Sequence, residues 1–212
     1  MEIEQAIKKV NNFEGDGLSD TLCDIEIGFR GANRVGTEQL CKKFRLDSDL
    51  ISSALELKKA AAQINVIIHA VGILLALPRI LGDDEYIEYL SLGAGNTGRR
   101  FDLETNSRVA EFKFINWQGG SEAIRQNSLF KDFYELAEYE ANKKRFLYVL
   151  EKEIPLRFFN RSRSIKSVLS RNTKLSQEFF SKYGDRFTVV SDYYQYKKET
   201  VIIEDISNIL QG

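Results

Sequence analysis

The sequence predicts an α/β fold whose core runs helix, three-strand meander, helix, strand. Three observations predict it. A helical stretch from about Ser48 to Leu77 becomes almost wholly apolar after Ile64. Arg100 to Phe114 alternates charged and apolar residues with period two, the mark of paired strands. A second helical pattern, from Ser121 to about Lys144, leads into the compact apolar strand Phe146 to Leu150. These elements place the core at residues 48–151. Residues 1–47 form an N-terminal extension, and residues 152–212 a C-terminal basic helical and strand addition packed on the core.

The elements follow in order. Residues 1–20 suggest a short helix ending in the turn Gly15-Asp16-Gly17, and Asp24 to Phe29 suggests a strand. Asp47, Ser48 or Asp49 caps the first long helix, since short polar side chains satisfy the free N–H groups of a helix start. Its second half is expected to be buried on most sides. A membrane span is the competing reading and needs about 20 apolar residues. Here Asn65, His69 and Gly72 interrupt the run and Pro78-Arg79 closes it, so no membrane partner is expected. Glu85 to Leu92 alternates as a strand. The hairpin then supplies two more, the second running to about Trp117. Ser121 caps the following helix.

At 212 residues, with 43% apolar and 29% charged residues, the chain is large enough for a real core and is neither disordered nor fibrous. Two cysteines, Cys23 and Cys41, are too few for a disulfide framework or a zinc site, and free thiols in the cytoplasm are expected. His69 is the only histidine, which excludes His-rich metal sites. Its apolar neighbours suggest a buried structural role. Gly93 to Gly98 formally matches G-x-G-x-x-G, but a dinucleotide fingerprint opens a helix, and this one leads into a strand. It reads as a turn whose glycines let a nucleic-acid backbone approach.

The hairpin carries the chemistry. With Asn106-Ser107 as a two-residue turn, Glu104 faces Val109 and Asp102 faces Glu111. Arg100, Asp102, Glu104, Glu111 and Lys113 then share one face, and Phe101, Leu103, Ala110, Phe112 and Phe114 the other. Opposed carboxylates with Cβ atoms roughly 5 Å apart repel. A hard cation such as Mg²⁺ compensates them, and so does Lys113 alone. The plain alternative is a solvated face with ordinary salt bridges.

Asp102, eight intervening residues and then Glu111-Phe112-Lys113 resembles the signature of the PD-(D/E)xK phosphodiesterase superfamily, with its restriction-endonuclease-like fold. Phe101 stands at the nominal Pro position. The resemblance covers about half the chain. It implies a metal-dependent nuclease acting on DNA or RNA. Asp102 and Glu111 would bind Mg²⁺ or Mn²⁺, and Lys113 would position water and offset charge at the phosphate. It also implies an acidic ligand on the first helix, for which Glu56 is the candidate. On the next helix, Arg125 and Gln126 are candidates for substrate contact, with Phe130 at the Tyr position of a Gln-xxx-Tyr pattern. A non-catalytic nucleic-acid or protein-binding module that keeps the fold is the alternative. A purely structural protein with a charged hairpin at a subunit interface is the third.

Net charge is −1, so the chain is no bulk nucleic-acid binder. Residues 141–187 hold twelve Lys/Arg against four Asp/Glu. Arg157 to Arg163 mixes cations with aromatics there. Arg161 and Arg163, with Arg99 and Arg100 beside the hairpin, are the candidate phosphate contacts. The acidic run Gly82 to Glu88 offers this basic segment another partner, within one chain or across a homodimer.

Overall fold

A computed structural model of the protein describes residues 2–15, 17–93, 100–115 and 122–210. The chain divides into two compact units, Met1–Asn65 and Val66–Gly212.

The first unit is helical: α1 (Ile3–Glu14), α2 (Leu18–Phe29), α3 (Arg34–Lys43) and the opening of α4 (Ser48–Ile80). Gly15 ends α1 with φ +60°, a conformation that favours glycine. Asp47 caps α4 by accepting the Leu50 N–H at 2.7 Å, and Lys9 on α1 lies 3.0 Å from the same carboxylate. The strand expected at Asp24 to Phe29 is instead the second half of α2. Ile25, Ile27 and Phe29 alternate like a strand, yet it is Thr21, Ile25 and Phe29, four apart, that are half-buried together.

The second unit holds an open, mixed five-stranded sheet in the order β1-β2-β3-β4-β5. The strands are β1 (Ile87–Leu90), β2 (Leu103–Thr105), β3 (Arg108–Lys113), β4 (Lys144–Val149) and β5 (Ile202–Asp205). β1, β2 and β3 form the antiparallel meander. The helix α5 (Glu122–Ala137) then crosses over so that β4 pairs parallel to β3, and β5 pairs parallel to β4. The hairpin takes the expected register, Leu103 opposite Ala110 and Glu104 opposite Val109. Thr105 Oγ1 accepts the Ser107 and Arg108 N–H groups, which closes the turn. Trp117 and Ser121 lie outside the described residues.

Both faces of the sheet are covered. On one, Leu103, Ala110, Phe112, Phe146 and Tyr148 pack with Ile73, Ala76 and Leu77 of α4. On the other, Val109, Leu147 and Val149 pack with α5 and with α6 (Glu153–Phe159), α7 (Ile165–Leu169), α8 (Thr173–Tyr183) and α9 (Val190–Lys197). The chain closes with a short 3₁₀ turn, Ser207–Leu210. Two expectations change. The charged hairpin face does not look into solvent: β3 is an inner strand, and the helices cover it. The second half of α4 is not buried on most sides. It buries the stripe Gly72, Ile73, Ala76 and Leu77 and leaves Val71, Leu74 and Leu75 exposed.

α5 stops at Ala137, well before Lys144. The next residue, Glu138, fastens the C-terminal helices to it. Its Oε1 accepts from the hydroxyls of Tyr183 at 2.7 Å and Tyr193 at 2.6 Å, and lies 3.0 Å from Lys197 Nζ. Lys182 Nζ sits 2.5 Å from Oε2. Burial pushes this carboxyl up, but these donors outweigh it and hold it down at about 2 against a usual 4.5. A group depressed in the folded state stabilises the fold above its unfolded pKa and loses that effect as pH falls through the folded one. Glu138→Gln is therefore expected to cost roughly 2–3 kcal/mol at neutral pH. Urea titrations at stepped pH should show the gap between wild type and variant shrink steadily from about pH 4.5 to about pH 2.

Candidate active site

Asp102 ends the bend that enters β2. Its Oδ2 accepts the backbone N–H of Phe112 at 3.0 Å, so the carboxylate is pinned against β3. Its Oδ1 lies 3.2 Å from His69 Nε2 on α4. Glu111, from the middle of β3 and 9% exposed, lies beside Asp102, and each carboxyl acts on the other. Two residues on and on the same face of β3, Lys113 has its Nζ 2.5 Å from Asp132 Oδ2 on α5. Five ionisable side chains from the bend before β2, from β3 and from the two covering helices thus meet in one region.

Their protonation follows from burial and mutual charge. Burial raises Asp102, but His69 and the Phe112 N–H outweigh it, so this carboxyl lies below its ordinary range. Burial drives Glu111 well up, reinforced by the charges of Asp132 and Asp102 and opposed by Lys113. The two neighbouring carboxyls are thus pushed apart, Asp102 downward and Glu111 upward. Burial lowers Lys113, but Asp132 and then Glu111 more than compensate, so it stays cationic at neutral pH. Burial also raises Asp132, with Lys113 holding it back.

His69 and Asp132 are the residues that sequence reasoning missed. Their signal was faint: each is a polar residue set in an apolar stripe. His69 stands one turn before Ile73, and Asp132 lies between Phe130 and Phe133. The approach of α4 that lets His69 reach Asp102 depends on Gly72. A Cβ there would come within 2.6 Å of the Phe114 ring. His69 itself meets that ring edge-on, with centroids 6.1 Å apart.

The other candidates are dispersed. Glu56 is exposed and belongs to the first unit, while His69 is the residue of α4 at Asp102. Arg163 and Gln126 are brought to each other. The guanidinium donates to Gln126 Oε1 and, at 3.1 Å, to Asn127 Oδ1, while Gln126 donates to Glu122 at 2.5 Å. Arg161 lies 3.8 Å from Glu122 and is exposed. Arg125 is half-buried on α5. Arg100 stacks over Phe101 at 5.5 Å and Tyr139 at 5.7 Å. Arg99 lies outside the described residues, as do positions 94–98 of the glycine turn. Phe158 and Phe159 are buried in the core, so these aromatics are not free to stack on bases. The acidic run finds partners near the hairpin: Glu85 binds Arg108 at 2.5 Å, and Lys143 joins Glu88 at 2.7 Å and Glu104 at 2.9 Å.

Set against protein-family models, curated proteins and solved structures, the chain has no match. What the arrangement can do must come from its own donors. Two carboxylates and an imidazole are the right chemistry for a divalent ion. Among the described residues no three His, Cys, Asp or Glu side chains already converge as a cation site. Asp102 pairs with His69, and Glu111 lies beside it. A cation there would offset the burial and mutual repulsion that push Glu111 up.

The Lys113–Asp132 pair is the energetic hinge of the site. Removing one partner strands a buried charge. Asp132→Asn is expected to destabilise the protein by about 3 kcal/mol in denaturant titrations. The double change Lys113→Met with Asp132→Leu should restore most of that loss, because it removes both charges together.

Proposed function

We propose that this protein is a metal-dependent nuclease, hydrolysing phosphodiester bonds in DNA, on a restriction-endonuclease-like core. The observation that carries the reading is the Phe112 N–H bond to Asp102 Oδ2, which sets that carboxylate against β3 between Glu111 and Lys113. It joins the residues of the motif in one place. The order α4, β1, β2, β3, α5, β4 supports it, being the helix, meander, helix, strand succession that the motif requires.

In this reading Asp102 and Glu111 would hold the ion. His69 Nε2 offers a nitrogen donor beside Asp102 Oδ1. A divalent ion held there would supply Lewis acidity and make its bound water more acidic. Lys113 is the cation of the site. Because it keeps its proton, its role is to orient the nucleophilic water and offset charge on the phosphorane, not to act as a base. Asp132 holds that ammonium in place from the far side.

The purified chain should cleave single- or double-stranded DNA only with Mg²⁺ or Mn²⁺ present, and a parallel RNA substrate decides between the two nucleic acids. Asp102→Asn, Glu111→Gln and Lys113→Ala should each lower the rate about 100-fold or more. Cleavage that survives Lys113→Ala would remove Lys113 from the mechanism. Metal binding with no cleavage of any of these substrates would favour the non-catalytic binding module.

A further inference from the structure

Helix α4 has two faces in the second unit. The inner one carries His69, Gly72, Ile73, Ala76 and Leu77. Gly72 lies against Phe114, while Ile73, Ala76 and Leu77 pack into the sheet cluster. The outer face carries Ile67, Ile68, Val71, Leu74 and Leu75, each between 46% and 57% exposed. An outward stripe of aliphatic side chains has no use in an isolated fold. Single exposed apolar residues are common, but a contiguous patch of several hundred Å² marks an interaction site.

The spacing of the stripe says what kind. Ile67, Val71, Leu74 and Pro78 follow one another at four, three and four residues, a heptad seam, with Ile68 and Leu75 flanking it one position on. In that register Ile73 and Ala76 fall on the side turned to the sheet. The seam and the packed stripe are thus opposite faces of one helix.

We propose that this face is a self-association surface, on which α4 of a second copy of the chain packs seam to seam. Area supports it. Five aliphatic side chains about half exposed offer on the order of 400 Å², most of the two-thirds apolar share of a standard interface of about 800 Å² per partner. A twofold axis pairs a surface with itself, and an uncharged seam has nothing to repel its own copy. A bilayer suits the face less well, although α4 is long and apolar enough to cross one. Crossing would strip Ile73, Ala76 and Leu77 from the sheet. Lying in the bilayer plane calls for a basic rim. Between residues 66 and 82 the sole charged side chain is Arg79, and it donates to the Asn208 carbonyl at 2.5 Å. The inference does not depend on the nuclease reading.

Analytical ultracentrifugation of the full chain tests it. Wild type should sediment as a dimer at micromolar concentrations. Leu74→Glu should weaken association about 100-fold, since a buried unpaired charge is costly, while the far-ultraviolet circular dichroism spectrum stays that of wild type. Leu75→Gln, neutral and milder, keeps the test open if Leu74→Glu unfolds, and it should also shift the equilibrium toward monomer. A monomeric wild type overturns the proposal, as does any oligomer that both variants leave unchanged. Liposome co-sedimentation of a monomeric wild type, lost in Leu74→Glu, would overturn it in favour of a bilayer.

Discussion

The Lys113–Asp132 ion pair is the contact that lets β3 carry Glu-Phe-Lys through the middle of a covered sheet. A strand at that position is lined on both faces by apolar helices, and an isolated ammonium there would be driven to lose its proton. Asp132 prevents this. The pair bears on Glu111 in both directions: burial and the charge of Asp132 push its carboxyl up, with Asp102 adding to them, and Lys113 pulls it down in part. A divalent ion is the kind of charge that would relieve the remainder.

The pair exists because of the crossover. Parallel pairing of β3 with β4 requires a connection that passes over the sheet, and α5 is that connection. Its apolar stripe of Leu129, Phe130, Phe133 and Leu136 sets the helix down on the sheet, and Asp132 arrives within that stripe. The C-terminal helices then close over α5 through a ring of aromatics, with Tyr193 touching Phe130, Phe133, Tyr134 and Phe179. Glu138 ties the same layer by its carboxylate. Basic residues in this region consequently serve two masters: Lys182 and Lys197 neutralise Glu138, and Arg163 braces Gln126 and Asn127. The local positive excess in the sequence is spent partly on the fold, and less of it remains for phosphates than composition suggests.

How much of this was legible depended on the range of each interaction. The hairpin register could be read because alternation and a two-residue turn are local, and a slip of one residue would invert every side chain. The order of elements from α4 to β4 was legible for the same reason. Asp24 to Phe29 was not, because Ile25, Ile27 and Phe29 satisfy a strand period while Thr21, Ile25 and Phe29 satisfy a helical one. His69 and Asp132 reach the site across 33 and 19 positions of chain, and no local pattern announces such a meeting. Phe101 shows the limit of alternation itself. It was placed with Leu103, but it precedes the regular strand and turns to the α5 side, where it packs in the larger core cluster.

The apolar character of α4 has a similar lesson in it. A helix apolar all round is ordinarily buried all round, yet this one lies on a sheet by one stripe. That stripe must be slim, because Gly72 and Ala76 admit the sheet closely and His69 has to face a carboxylate. The inner face accordingly takes small and polar residues beside Ile73, Leu77 and, at its end, Ile80. The bulky aliphatic residues that give the helix its hydropathy were left to the outside by the demands of the site. Close approach on one side of α4 and unpartnered bulk on the other are thus two results of the same choice of residues, and a covering surface for the second is the physical counterpart of the first.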